Sequence, residues 1–307
     1  MSLKCALQVN IPDIIHKHNK PITLSELINA LHINKAKSHH IYHLMRILIH
    51  SKFFVKVNIS ENDEEGYWFT PSSRHLVKKG PSSMAPFALA VLDPILVDPW
   101  HHLGEWFQDD NPMAFVSAHG RTFWEKAIEE PRVNHFINEA MSSDAQFVAN
   151  LLIKDCKHVF DGLKSMVDVI VEACPGLKRV VLELEHVIDG LKGVEKLSWV
   201  VGDMFVSIPR VDAVDEYCVK ILKKCKESIP SKDNGGKVII VEMIVDDKKK
   251  LDQQMVETQL FFDMEMMTIT AGKGRTEKEW AKLFFDAGFT SYKITLLGLR
   301  VLIEVFP

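Results

Sequence analysis

The chain has 307 residues, 47% of them hydrophobic and 25% charged, with a formal net charge of −4; these values describe a folded globular protein with room for two domains and exclude a disordered chain. No stretch approaches twenty uninterrupted apolar residues, and the N-terminus carries Asp13 and His16 where a signal peptide would present small residues, so neither a membrane span nor a secreted precursor is expected and the protein is placed in the cytosol. The five cysteines (Cys5, Cys156, Cys174, Cys218 and Cys225) are odd in number and scattered; they fit no disulfide framework and no zinc spacing, and are expected to be free buried thiols with no metal among them.

In chain order, a first helix is expected from Leu3 to Ile15. "KPITLSELINALHI" then offers Thr23 as an N-cap with Glu26 three residues on, a capping box that opens an amphipathic helix. A further helix follows in "KSHHIYHLMRILIHSKFF", where Ile41, Leu44, Met45, Leu48 and Ile49 recur at three- and four-residue spacing and form one apolar stripe. "FVKVNISENDEEGYWFT" reads as two alternating strands around an acidic turn. Helix, helix and hairpin in this order make a winged helix, residues 1 to 80.

Residues 1 to 80 hold eleven Lys and Arg against six Asp and Glu, a charge of about +5 that keeps DNA binding in view. The exposed face of the second helix, however, offers mostly histidine with one Arg46, where base readout wants Arg, Lys, Asn or Gln, so a packing or dimerisation module is the preferred reading. His39, His40 and His43 are read as solvated helix-face residues rather than metal ligands.

From Pro81 to His158 the text is helical and aromatic. Trp100, Trp106, Phe115, Phe123, Trp124, Phe136 and Met141 are too many large apolar groups for a linker, so this region is expected to pack as a core or to line a ring-binding pocket.

From Phe160 onward short apolar strands alternate with amphipathic helices, the pattern of an α/β sheet. The strands expected are Met166 to Val171, Arg179 to Leu184, Leu197 to Val201, Asp212 to Val214 and Lys237 to Val245. A last pair, "SYKITLL" and "RVLIEVF", is joined too tightly for a helix and is expected to be antiparallel. Before it, "RTEKEWAKLFFDAGF" is a helix with Thr276 and Glu279 as capping box and Gly288 as its stop. One link is too short: only "EACPGLK" separates the first two strands, about half of what a helical crossover needs, so these two are not expected to lie side by side in parallel.

The phrases "LSELINAL", "FTPSSR", "AHGRTFWE", "FINEAMSSD", "VVGDMFVSIP", "ILKKCKESIP", "GGKVIIVEMIV", "RTEKEWAKLFFDAGF" and "LIEVFP" resemble, in order and over nearly the whole chain, the plant small-molecule O-methyltransferases that use S-adenosylmethionine. The resemblance implies a Rossmann-like methyltransferase sheet of α/β class with an N-terminal winged-helix dimerisation domain. It implies a homodimer, S-adenosyl-L-methionine as cofactor, and an aromatic hydroxyl on a phenylpropanoid, flavonoid or alkaloid as methyl acceptor. The division expected is residues 1 to 80 for dimerisation, 81 to 158 for a helical substrate-pocket and linker region, and 159 to 307 for the donor-binding domain.

By the same resemblance Glu183 stands where the family holds the ribose hydroxyls of the donor, Asp203 and Met204 where it flanks adenine, and Met141 and Met266 where methionines clamp the acceptor ring. Glu242, at a strand end, matches one of two acids that orient a general-base histidine. The second acid is replaced by Gly274, and the histidine itself is absent, because Val214 runs directly into Asp215 where the family carries it; His186 belongs to another position. The glycine-rich loop after the first strand, which lets backbone approach a cofactor closely, is missing with most of its helix. These departures leave two expectations: an O-methyltransferase of small aromatic acceptors, or an impaired relative that acts as a non-catalytic dimer partner.

Overall fold

The computed structural model describes residues 1–59, 64–80, 82–161, 165–167, 178–183, 197–201, 214–245 and 253–307. It divides into two compact units, Met1–Asn150 and Leu151–Pro307.

The first unit opens with α1 (Ser2–Gln8) and α2 (Ile11–His18). The single helix expected from Leu3 to Ile15 is therefore two. The break falls at Asn10, whose φ of 61° is left-handed, and Pro12, which has no N–H to donate, starts the next helix. α3 (Leu24–Ala30) begins at the expected capping box: Thr23 Oγ1 accepts from the Glu26 N–H (3.2 Å) and Glu26 Oε2 accepts from the Thr23 N–H (2.9 Å). After a 3₁₀ turn at Lys35–Lys37 comes α4 (His40–His50), which buries Ile41, Met45 and Leu48. β1 (Phe54–Asn58) and β2 (Glu65–Phe69) then pair antiparallel, Phe54 opposite Phe69.

These elements close on one core in which Ile11, Ile15, Leu27, Met45 and Phe54 have no exposed surface. Each such side chain contributes roughly 1.5–3 kcal/mol by leaving water. Seven more helices follow: α5 (Pro71–Arg74), α6 (Ala85–Val91), α7 (Pro94–His101), α8 (Leu103–Trp106), α9 (Ala114–His119), α10 (Phe123–Glu129) and α11 (Pro131–Asp155). Phe115 and Phe123 are buried edge to face at 5.6 Å, as expected of core aromatics. Trp124 and Met141 are not, with 64% and 56% of their surface exposed.

In the second unit β3 (Ser165–Val167), β4 (Lys178–Glu183) and β5 (Leu197–Val201) form a parallel sheet in the order β3-β4-β5. This corrects the expectation for the first two strands: Ser165 pairs with Lys178 and Val167 with Val180, in parallel. The physical reason is the shortness of β3. A connection back along a three-residue strand has only about 10 Å to cover before the next strand can pair in parallel. Val214 is also corrected, from strand end to the first residue of α12 (Val214–Ser228); 212–213, the rest of that stretch, lie outside the described residues.

β6 (Val238–Glu242), α13 (Gln253–Thr270), α14 (Glu277–Asp286), β7 (Ser291–Leu297) and β8 (Arg300–Phe306) complete the unit. β7 and β8 are antiparallel, as expected, and β8 also pairs antiparallel with β6, giving a second sheet β6-β8-β7. Among the described residues no ladder joins the two sheets. α14 starts at the Thr276–Glu279 capping box and stops at Gly288, whose φ is +87°. Its Trp280, Leu283 and Phe284 pack on Val301, Ile303 and Val305. Of the cysteines, Cys156 is buried, Cys218 and Cys225 are half-buried, and Cys5 is exposed, contrary to expectation, because it faces out of the short α1; Cys174 lies outside the described residues.

Candidate functional site

Two of the parallel strands, β4 and β5, end together. Glu183 is the last residue of β4 and pairs with Val201, the last of β5. Asp203 and Met204, expected on the adenine side, lie outside the described residues. The carboxyl edge of a parallel sheet is where ligands of such folds gather.

A second corner forms where β6 ends. Glu242 is half-buried and its Oε1 accepts from the Met243 N–H at 2.8 Å. Two residues on, Ile244 bridges Arg275 in parallel and the Val245 N–H donates to the Arg275 carbonyl at 3.1 Å. Gly274 therefore lies beside the continuation of the strand that carries Glu242. Its amide donates to Asp263 Oδ1, and a Cβ built on it would collide with Val245 Cγ2. Arg275 extends a guanidinium N–H to Cys218 Sγ (3.6 Å) and lies over the Trp280 ring, 5.3 Å from its centre.

Met266 is half-buried on α13, in the second unit, and Met141 is exposed on α11, in the first. The histidines of the second unit are His186, outside the described residues, and His158, exposed on a 3₁₀ turn. A groove of about 660 Å³ in the first unit, among Gln8, Asp13, Lys17, His18, Glu26 and His32, contains none of the expected site residues.

Sequence reading missed Asp263. Its signal was present: Asp263 stands three residues before Met266 and so shares a helix face with it.

Parallel strands followed by an antiparallel pair that closes the chain define an α/β domain. The solved structures agree on the fold. A methyltransferase of calicheamicin biosynthesis, in its SAH-bound form, superimposes with a TM-score of 0.78 at 19% identity over 100% of this chain and 93% of that one. Human N-acetylserotonin methyltransferase in complex with SAM does so with a TM-score of 0.75 at 16% identity over 99% and 92%. The fold is the Rossmann-like methyltransferase fold with an N-terminal dimerisation domain.

Residues 1–79 match the O-methyltransferase dimerisation domain and residues 100–290 the O-methyltransferase domain. Among similar proteins, 8-hydroxyquercetin 8-O-methyltransferase of Mentha piperita is 52% identical over 100% of this chain and 92% of its own length. Trans-resveratrol di-O-methyltransferase of Vitis vinifera is 50% identical over the same shares. This chain belongs to the O-methyltransferase family. The alignment to the Mentha relative spans 337 positions against a chain of 307 residues, all of them aligned, which leaves 30 positions that only the relative fills. Segments are therefore missing from this chain relative to a close family member, in keeping with the short links read from its sequence.

Proposed function

We propose that the protein transfers a methyl group from S-adenosyl-L-methionine to a hydroxyl of a small aromatic plant metabolite, a flavonoid, stilbene or phenylpropanoid. The observation that carries this is similarity at about half identity over the full chain to methyltransferases named for a flavonoid and a stilbene. Residues 1–80 act as a winged-helix dimerisation module, 81–158 as a helical pocket region and 159–307 as the donor-binding domain, in a cytosolic homodimer. Neither nucleic acid nor membrane is a partner.

Of the residues proposed to hold the adenosine half of the cofactor, Glu183 is the one among the described residues. Glu183, at the carboxyl end of a parallel strand, suits two neighbouring hydroxyls, since a carboxylate accepts two hydrogen bonds. Asp203 and Met204 would flank the base. The cofactor supplies an electrophilic methyl on a sulfonium. The protein contributes positioning, with Met141 and Met266 against the acceptor ring and Glu242 as the acid on the acceptor side. The family's general-base histidine has no match in this sequence, and the phenolic proton leaves to solvent. A phenol with a pKa near 10 is ionised to about one part in a thousand at pH 7, and a general base ordinarily contributes roughly 10²- to 10⁴-fold, so turnover is slow.

Calorimetric titration with S-adenosylmethionine, followed by labelled-methyl transfer to a panel of flavonoids, stilbenes and phenylpropanoids, tests the reading. Saturable heat and a methyl ether product are expected. No heat at millimolar donor sinks it and leaves the non-catalytic dimer partner.

A further inference from the structure

The acceptor-side corner lacks an acid at position 274 but does not lack a carboxylate. We infer that Asp263 is the second positioning residue of this corner, supplying from α13 the negative oxygen that Gly274 cannot; the assignment rests on the function proposed above.

Three observations carry it. The first is placement: the carboxylate of Asp263 is tied to Gly274 itself, accepting its N–H, and a Cβ built on Gly274 would lie 3.1 Å from Asp263 Oδ1 and 3.5 Å from its Cγ. The acid thus sits where a side chain at 274 would begin. The second is occupancy. The remaining room beside Gly274 is filled by Val245 Cγ2, so glycine there belongs to a repacked corner rather than to an empty one. The third is direction. Asp263 and Met266 are one helical turn apart on α13, and the Ile244–Arg275 bridge holds the same corner two residues beyond Glu242.

A carboxylate has about four acceptor sites, and the Gly274 amide uses one. Asp263 therefore both fastens the turn 271–275 to α13 and keeps acceptor capacity for a hydroxyl presented at the end of β6.

Methyl transfer by the full chain with labelled donor is the test, comparing wild type, Asp263→Asn, Asp263→Ala, and a triple variant Asp263→Ala, Val245→Ala, Gly274→Glu. Asparagine keeps an oxygen for the Gly274 amide and removes the charge, so it separates the two roles. Asp263→Asn is expected to lower kcat roughly tenfold, the scale of one charge-assisted hydrogen bond, without changing KM for the donor. The triple variant, which returns an acid from position 274 into space cleared at 245, is expected to recover activity over Asp263→Ala. A wild-type kcat in Asp263→Asn, or a triple variant no better than Asp263→Ala, overturns the assignment while leaving the proposed function standing. A wild-type chain that transfers no methyl overturns both.

Discussion

Lys237 Nζ lies 2.9 Å from Glu304 Oε1 across the β6–β8 ladder, with the two side chains only 13% and 7% exposed. Lys237 also donates to the Val159 carbonyl, and Lys293 approaches the other oxygen of Glu304 at 3.5 Å. The pair thereby pins the 3₁₀ turn at Lys157–Phe160 to the closing sheet. Burial would raise the Glu304 carboxyl, but the hydrogen bond and charge of Lys237, helped by Lys293, outweigh it and hold the group below its usual range. A folded-state value below the unfolded one means that the stabilisation is present above about pH 4.3, the unfolded value, and is lost as pH falls through the folded value. Lys237→Met should cost about 3–5 kcal/mol, since it strands a buried charge. Urea denaturation at pH 7 and pH 3 checks both points; a variant equally destabilised at the two values would contradict the linkage.

Glu279 closes the α14 capping box and also accepts from Lys273 Nζ at 2.7 Å. Lys273 first, then the Thr276 amide, bring its carboxyl down to about 2. The contribution of this group is expected in full above pH 4.3 and to fade between there and about pH 2. Thr276→Ala, which removes the reciprocal half of the box, should cost about 1 kcal/mol. Its denaturation midpoint is the measurement, and no shift would argue against the cap.

Gly288 ends α14 with φ +87°, its N–H on the Phe285 carbonyl and the next N–H on the Phe284 carbonyl. Gly288→Ala should destabilise by about 1–2 kcal/mol, the cost of a left-handed conformation for an L residue. Gly104 is a control, with no atom near a built Cβ and no left-handed φ; Gly104→Ala should be neutral or stabilising.

Glu183→Ala should weaken S-adenosylmethionine at least about tenfold in calorimetry, because each hydrogen bond to a charged group is worth about 1.5–3 kcal/mol. Unchanged affinity would remove Glu183 from the donor site.

If no side chain takes the phenolic proton, the transfer rate follows the fraction of phenolate. The rate at saturating substrates is then expected to rise close to tenfold per pH unit from neutrality towards about pH 10. A plateau near pH 7 would reveal a side-chain base and overturn this expectation.

Much of the fold was legible in the chain because local chemistry specifies it. Thr23 with Glu26, Thr276 with Glu279, the stripe Ile41, Met45 and Leu48, and the tight link between β7 and β8 each rest on contacts within a few residues, and all appear as read. The family, too, was readable from its phrases. Tertiary structure alone decided the rest. Whether β3 and β4 could pair in parallel depended on how short β3 is, and whether the aromatics of residues 100–141 were covered depended on what packs against each, which left Phe115 buried and Trp124 in water. The neighbours of Gly274 come from Asp263, eleven positions earlier, and Val245, twenty-nine earlier. No local period connects residues so placed; only the meeting of α13 with the end of β6 brings them together, because side-chain contacts follow distance in space and not along the chain.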